Sequence, residues 1–245
     1  PENKRRAAYV FSGIGAGIAF SGILSFFASN SREGWTYFTI LSLILLPFVL
    51  FLKESKQTYT EQVEEKVSHK LLISLLVVAY LLDGGAYIVS ATFLVSMLKA
   101  QGAASLLPWT LLGAASILSV FVWPVIAKYT GVLKLLFAAY LIQAAGILLP
   151  AFYEKGAYVA AILFGSTFMV IVSSTIMLMK HLAPKSKMVA RATFAFALGQ
   201  MIGPYTSGLL IDITGTFAWS MTFAGITSII SALLLLPVLA RKLSI

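Results

Sequence analysis

An all-α integral membrane protein with eight transmembrane helices is predicted by three features of the sequence. Of its 245 residues 59% are hydrophobic and 11% charged, where a soluble domain has about 45–50% and about 25%. Apolar windows of about 20 residues, enough to cross a hydrocarbon core of about 30 Å, recur along the whole chain and leave no soluble domain over. Runs such as Leu43-Ile44-Leu45-Leu46 and Leu233-Leu234-Leu235-Leu236 lack the alternation of a membrane barrel strand.

In chain order the first span, Ala7 to Ser29, follows the basic Lys4-Arg5-Arg6. That pairing resembles a signal peptide, but the apolar stretch exceeds the usual length of about 7–15 residues. Gly13, Gly17, Ser21 and Ser25 form a small-residue stripe suited to close packing on another helix. The second span, Trp35 to Leu52, precedes the one sizeable hydrophilic segment, Lys53 to Lys70, where Thr58 and Glu61 have capping-box spacing. Six more follow: Leu71 to Leu98, Leu106 to Tyr129, Leu133 to Phe152, Ala157 to His181, Val189 to Gly215 and Phe217 to Leu239.

Charge orients these spans. Fifteen of the 18 Lys and Arg fall on one side, and only Arg32, Lys99 and Lys155 on the other. Short basic loops stay cytoplasmic, so both termini and the Lys53 to Lys70 loop are expected there. The net charge of +9 therefore reads as a topology signal and not as a nucleic-acid surface, which needs a contiguous basic face. With no Cys and only His69 and His181, no metal site or cofactor is expected.

Asp83 stands out chemically. It lies twelve residues inside Leu71, about 18 Å along a helix and near mid-membrane. A carboxylate there costs about 2.5–3.5 kcal/mol on insertion scales, and such residues face cavities and bind a proton, ion or substrate. Alternatively Asp83 stays protonated or caps a helix break at Gly84-Gly85. Tyr80, Asp83, Tyr87 and Ser90 share one helical face. Gln143 with Tyr140, Ser166, Thr167, Ser173, Ser174 and Gln200 are further hydrogen-bonding groups at membrane depth. The hydroxyls among them favour bonding back to their own helix; a Gln serves a neighbouring helix or a solute equally well. An intramembrane enzyme would need paired acids, a His cluster or an activated nucleophile, so a single acid argues against an enzyme.

The order of spans resembles the major facilitator superfamily from its fifth helix to its twelfth. On that resemblance, residues 1–52 hold the last two helices of the N-terminal half, 53–70 the cytoplasmic linker and 71–245 the C-terminal six-helix half. Pro124 to Lys134 is similar to a second copy of the family's gating motif, with Lys128, Gly131 and Lys134 as gating-loop residues; Lys128 stands where the family often has an acid. Gly199, Gly203, Pro204, Gly208, Asp212 and Gly215 resemble the glycine-rich eleventh helix. Gly84-Gly85-Ala86-Tyr87-Ile88 followed by Thr92-Phe93-Leu94-Val95 is most like the YbfB-like bacterial permeases, whose seventh helix carries Gly-Phe-Gly-Tyr-Ile and Thr-Phe-Leu-Pro.

The resemblance implies a secondary active transporter of a small solute, working by alternating access and coupled to protons, in a bacterial plasma membrane. Its partners would be the solute and the lipid bilayer. It also directs attention to the third and sixth spans, since family helices seven and ten line the central cavity. Twelve spans would be expected, so the chain is expected to be incomplete as a transporter, with the first four helices on a separate or truncated segment. The alternative is a transporter-derived membrane scaffold or interaction protein without transport activity.

Overall fold

A computed structural model describes residues 2–49, 51, 70–100, 107–153, 156–183 and 187–240. Outside these residues lie the linker but for Lys70, its Thr58–Glu61 capping box, Glu154, Lys155, Lys185, Arg241 and Lys242. Among the described residues there are helices and no strands, as expected where lipid cannot satisfy backbone N–H and C=O groups. The helices are α1 (Glu2–Phe26), α2 (Ser31–Val49), α3 (Lys70–Ala100), α4 (Leu107–Thr130), α5 (Val132–Phe152), α6 (Ala157–Leu182), α7 (Met188–Thr214), α8 (Phe217–Leu233) and the single turn α9 (Leu236–Leu239).

Seven segments among the described residues are long and apolar enough to span a membrane. The exception is α2, where Arg32 and Glu33 dilute the first turn and positions 50 and 52 of the expected span fall outside the described residues. The last span is interrupted: α8 ends at Leu233 and resumes as α9 with Pro237 at its start. A proline in continuous helix would clash with the carbonyl four residues back, here that of Leu233. The link between α4 and α5 is a single residue, Gly131, at φ +80° and ψ +151°, a conformation open essentially to glycine.

Helices α3 to α8 form one bundle, with α3 packed on α7 and α8, α6 on α4 and α5, and α5 on α8. Its interior has two apolar layers. One holds Leu72, Leu76, Leu136, Tyr140, Ile171, Leu178 and Leu235; the other holds Ala86, Val89, Leu112, Ile147, Phe164, Phe168 and Met221. The buried polar residues Asp83 on α3, Gln143 on α5 and Ser228 on α8 fall between the two sets along each helix. Two serine hydroxyls of α8 clamp that level, Ser228 donating to the Tyr140 carbonyl at 3.2 Å and Ser231 to the Ala79 carbonyl at 3.0 Å.

α1 lies against α4; of the expected stripe Ser21 meets α4, but Gly13 and Gly17 do not. Gly13 and Gly17 face open space, whereas Gly15 and Gly22 are buried against Ile117 and Thr110 of α4, and Gly113 of α4 against Ala19. Gly15 and Ala19 are four residues apart and Gly22 three further on, so a second small-residue seam, offset from Gly13 and Gly17, carries the close approach. Trp109 Nε1 donates to Ser21 Oγ at 3.0 Å across it. On α2, Leu43 to Leu46 and Phe48 remain exposed, a surface compatible with lipid.

Candidate functional site

α3 runs unbroken through Gly84 and Gly85, so Asp83 does not cap a helix break there. That continuity comes from α7: the helices meet backbone to backbone, with Gly85 packed on Gly199 and Gly203, and Gly84 on the Phe196 carbonyl. Small residues allow this approach. Asp83 therefore turns inward at the polar level of the bundle and is 1% exposed. The expectation of a carboxylate facing a water-filled cavity is corrected accordingly. A small apolar pocket between α3, α7 and α8 is lined by Gly85, Val89, Gly199 and Phe223, among others, and not by Asp83.

The partner of Asp83 comes from α5. Gln143, fully buried, donates from Nε2 to Asp83 Oδ1 at 2.5 Å. A hydrogen bond to a charged group contributes about 1.5–3 kcal/mol, comparable with the insertion cost of the carboxylate. Among the described helices packed around Asp83, no base at its level supplies a countercharge. α3 has none between Lys70 and Lys99, α5 none beyond Lys134, α6 none before Lys180, α7 none beyond Arg191 and α8 none at all.

The two tyrosines flanking Asp83 stack their rings on other helices. Tyr80 lies on Phe196 of α7 with centroids 4.4 Å apart and planes at 21°. Tyr87 stacks on Phe168 at 5.3 Å, on Phe164 at 5.9 Å and on Phe196 at 6.0 Å. These rings from α3, α6 and α7 form an aromatic sleeve around the Asp83 turn. Each offset pair contributes about 0.5–1.5 kcal/mol beyond area burial, so the sleeve holds α3 in fixed rotation.

Tyr80, Tyr87 and Tyr140 all lie within electrostatic reach of the Asp83 carboxyl. Tyr140 is fully buried one turn before Gln143. Its Oη approaches Thr175 of α6 without forming a well-shaped hydrogen bond. Ser90, two turns beyond Asp83 on α3, is buried at 3% exposure.

Other expected residues lie apart. Ser166 Oγ donates to the Leu163 carbonyl at 2.9 Å, and Thr167 Oγ1 to the carbonyls of Leu163 at 2.9 Å and Phe164 at 3.0 Å. Both hydroxyls serve their own helix, although the Ser166 carbonyl accepts from Trp123 Nε1 of α4 at 2.6 Å. Gln200 is half-buried on α7. Lys128, Gly131 and Lys134 gather at the α4–α5 link; Lys134 is nine residues before Gln143, about 14 Å along α5. Among the described residues no group of three or more His, Cys, Asp or Glu could hold a metal.

Phe196, Phe164, Phe168 and Thr175 were not singled out from the sequence. Phenylalanines in apolar spans carry no local mark of function, and Thr175 looks like any helix hydroxyl.

Comparisons with known proteins place the fold. The sequence profile of the family described as uncharacterised MFS-type transporter YbfB matches residues 2–236. The crystal structure of the E. coli fucose:proton symporter FucP superposes with a TM-score of 0.59 at 17% identity, over 83% of this chain and 55% of that one. The chain thus spans just over half the length of that solved relative. No curated protein sequence matches.

Proposed function

The chain belongs to the MFS-type transporter family of YbfB, and we propose that it serves proton-coupled secondary transport of a small solute by alternating access. The feature that carries this reading is the buried Asp83, midway along α3 and hydrogen-bonded to Gln143 without a basic partner on the surrounding helices. A carboxyl group so placed holds or releases a proton at high energetic cost, which is the property a coupling site uses. Support comes also from the FucP fold likeness, FucP being itself a fucose:proton symporter. Tyr80, Tyr87, Ser90, Gln143 and Gln200 are the side chains proposed to contact proton or solute; Ser166 and Thr167 would join only if their intrahelical bonds opened. Lys128, Gly131 and Lys134 are proposed as the gating loop.

In domain terms, residues 1–52 act as the last pair of helices of one half, 53–70 as linker and 71–245 as the C-terminal half. The packing of α3 to α8 into one bundle, with α1 laid against α4, supports that division. The test is proton uptake by proteoliposomes of the whole protein, read with an internal pH dye across a panel of small solutes. One solute should alkalinise or acidify the lumen in step with its own movement; transport indifferent to the proton gradient would remove the coupling.

The membrane is proposed to be a bacterial plasma membrane with both termini cytoplasmic, on the asymmetry of Lys and Arg. The chain has no Cys, so a single Cys at Thr60 labels cleanly. It is expected to resist an impermeant thiol reagent in intact cells and to react after permeabilisation. Labelling in intact cells would invert the orientation.

A further inference from the structure

Three sides of Asp83 are closed by close contact. Toward α5 the carboxyl meets Gln143, toward α8 Ser231 donates to the Ala79 carbonyl one turn away, and toward α7 the backbones touch at Gly84 and Gly85. The fourth side, at the seam between α6 and α7, is closed differently. α6 packs on α4 and α5 and only loosely on α3 and α7, and rings fill the seam: Tyr87 of α3 stacks on Phe164 and Phe168 of α6 and on Phe196 of α7.

Tyr80 and Tyr87 are seven residues apart, about 10.5 Å along α3, and Asp83 lies between them on the same face. Phe196 stacks on Tyr80 at 4.4 Å and on Tyr87 at 6.0 Å, so its ring fills the interval from which Asp83 projects. A Cβ at Gly84, the next residue, would stand 3.1 Å from Phe196 Cδ2. Exposure stops at the same ring: Phe196 and Tyr87 are partly exposed, whereas Tyr80 and Asp83 are buried. Beyond it the flank of α7 is polar. Gln200, one turn on from Phe196, is half-buried on that flank, and Pro204 has no N–H to give the Gln200 carbonyl. Amide and carbonyl groups left open at membrane depth call for water.

We propose that Phe196 is a positioning residue that gates proton access to Asp83 from the α6–α7 seam: its ring swings out of the interval between Tyr80 and Tyr87 to admit water and swings back to exclude it. The α7 backbone stays in place, since the Phe196 carbonyl is packed on Gly84, and the movement is a side-chain rotation. Opening gives up two ring stacks, which keeps the closed form dominant. While the ring is out, hydronium gives a proton to the Asp83 carboxylate and remains as water; release reverses the step, and Phe196 itself exchanges none. The titratable groups within electrostatic reach of Asp83 are Tyr80 and Tyr87 of α3 and Tyr140 of α5; α6 and α7 present phenylalanine rings, and α8 Ser228 and Ser231. The inference rests on the proposal that Asp83 titrates during transport.

The test is pH-jump infrared spectroscopy of the whole protein in lipid nanodiscs, which needs no solute. The rise of the carboxylic C=O band, assigned to Asp83 by its loss in Asp83→Asn, gives the rate of proton arrival, and a slow titration gives its midpoint. Phe196→Ala should raise the rate by about tenfold or more. Phe196→Trp keeps the stacks with a larger ring and should lower the rate about threefold at an unchanged midpoint, because a gate sets how fast the proton arrives and not how tightly it is held. Phe164→Leu removes a ring of the same sleeve outside the interval and should leave the rate within about twofold. If the carboxylic band is missing from the unmutated protein, Asp83 does not titrate, and the coupling proposal fails and the gate with it. If the band is present but both Phe196 variants leave its rate unchanged, or Phe164→Leu raises it as much as Phe196→Ala does, the gate at Phe196 is overturned and Asp83 coupling stands. Should Phe196→Ala not fold, Phe196→Trp decides: slower arrival at an unchanged midpoint supports the gate, and any other result overturns it.

Discussion

Replacing Asp83 with Asn is expected to abolish proton-driven accumulation while leaving the protein folded and able to equilibrate its solute downhill. Asn has nearly the same shape and keeps an oxygen that can accept from Gln143 Nε2. What it loses is the titration. Accumulation in proteoliposomes should therefore fall to simple equilibration, with no response to an imposed pH gradient, and the melting temperature should stay close to that of the unmutated protein. Asp83→Leu is a useful contrast, since it strands the buried Gln143 amide and should cost about 1–3 kcal/mol of stability as well. Asp83→Asn that still accumulates solute with an unchanged dependence on the pH gradient would show that coupling lies elsewhere.

The second large effect concerns the α3–α7 contact beneath this site. A single methyl at Gly199 would collide with the Leu81 carbonyl oxygen and come within 2.9 Å of the Gly85 nitrogen. Both obstacles are backbone, so neither can rotate aside and the helices must part. Overpacking of this kind costs about 1–3 kcal/mol, and parting α3 from α7 would also disturb the stack of Tyr80 on Phe196. Gly208 lies on the same helix, yet a methyl there meets nothing within 4 Å. Ala at that position should be neutral or stabilise by up to about 1 kcal/mol through helix propensity. Thermal unfolding in one detergent should therefore separate Gly199→Ala from Gly208→Ala by about 1–4 kcal/mol. Equal melting temperatures would mean that α3 and α7 do not touch as described.

A methyl at Gly199 also bears on function. Asp83 and Gln143 meet because α3 is held in one rotation, and the aromatic sleeve together with the glycine contact sets that rotation. Gly199→Ala should weaken proton coupling alongside stability, whereas Asp83→Asn should affect coupling alone. The two variants thereby distinguish the titrating group from the frame that positions it.

Much of the architecture could be read from local composition, because lipid imposes a one-dimensional rule: a span must be apolar for about 20 residues and helical throughout. The span limits proposed from hydropathy lie within a few residues of α1 and α3 to α7 at the ends that are described. The place of Asp83 midway along α3 was legible for the same reason, since position along a helix is simply residue count times rise. What could not be read was the direction each helix faces. In a soluble bundle an apolar stripe marks the inner face, but these helices are apolar all round. Their rotation is instead settled by where backbones can approach. Hence Gly15 and Gly22, and not Gly13 and Gly17, meet α4. For the same reason Asp83 found a partner 60 residues away in Gln143, while its neighbours Tyr80 and Tyr87 turned their rings to α6 and α7. Helical spacing says which residues share a face; only the summed packing of six helices says what that face meets.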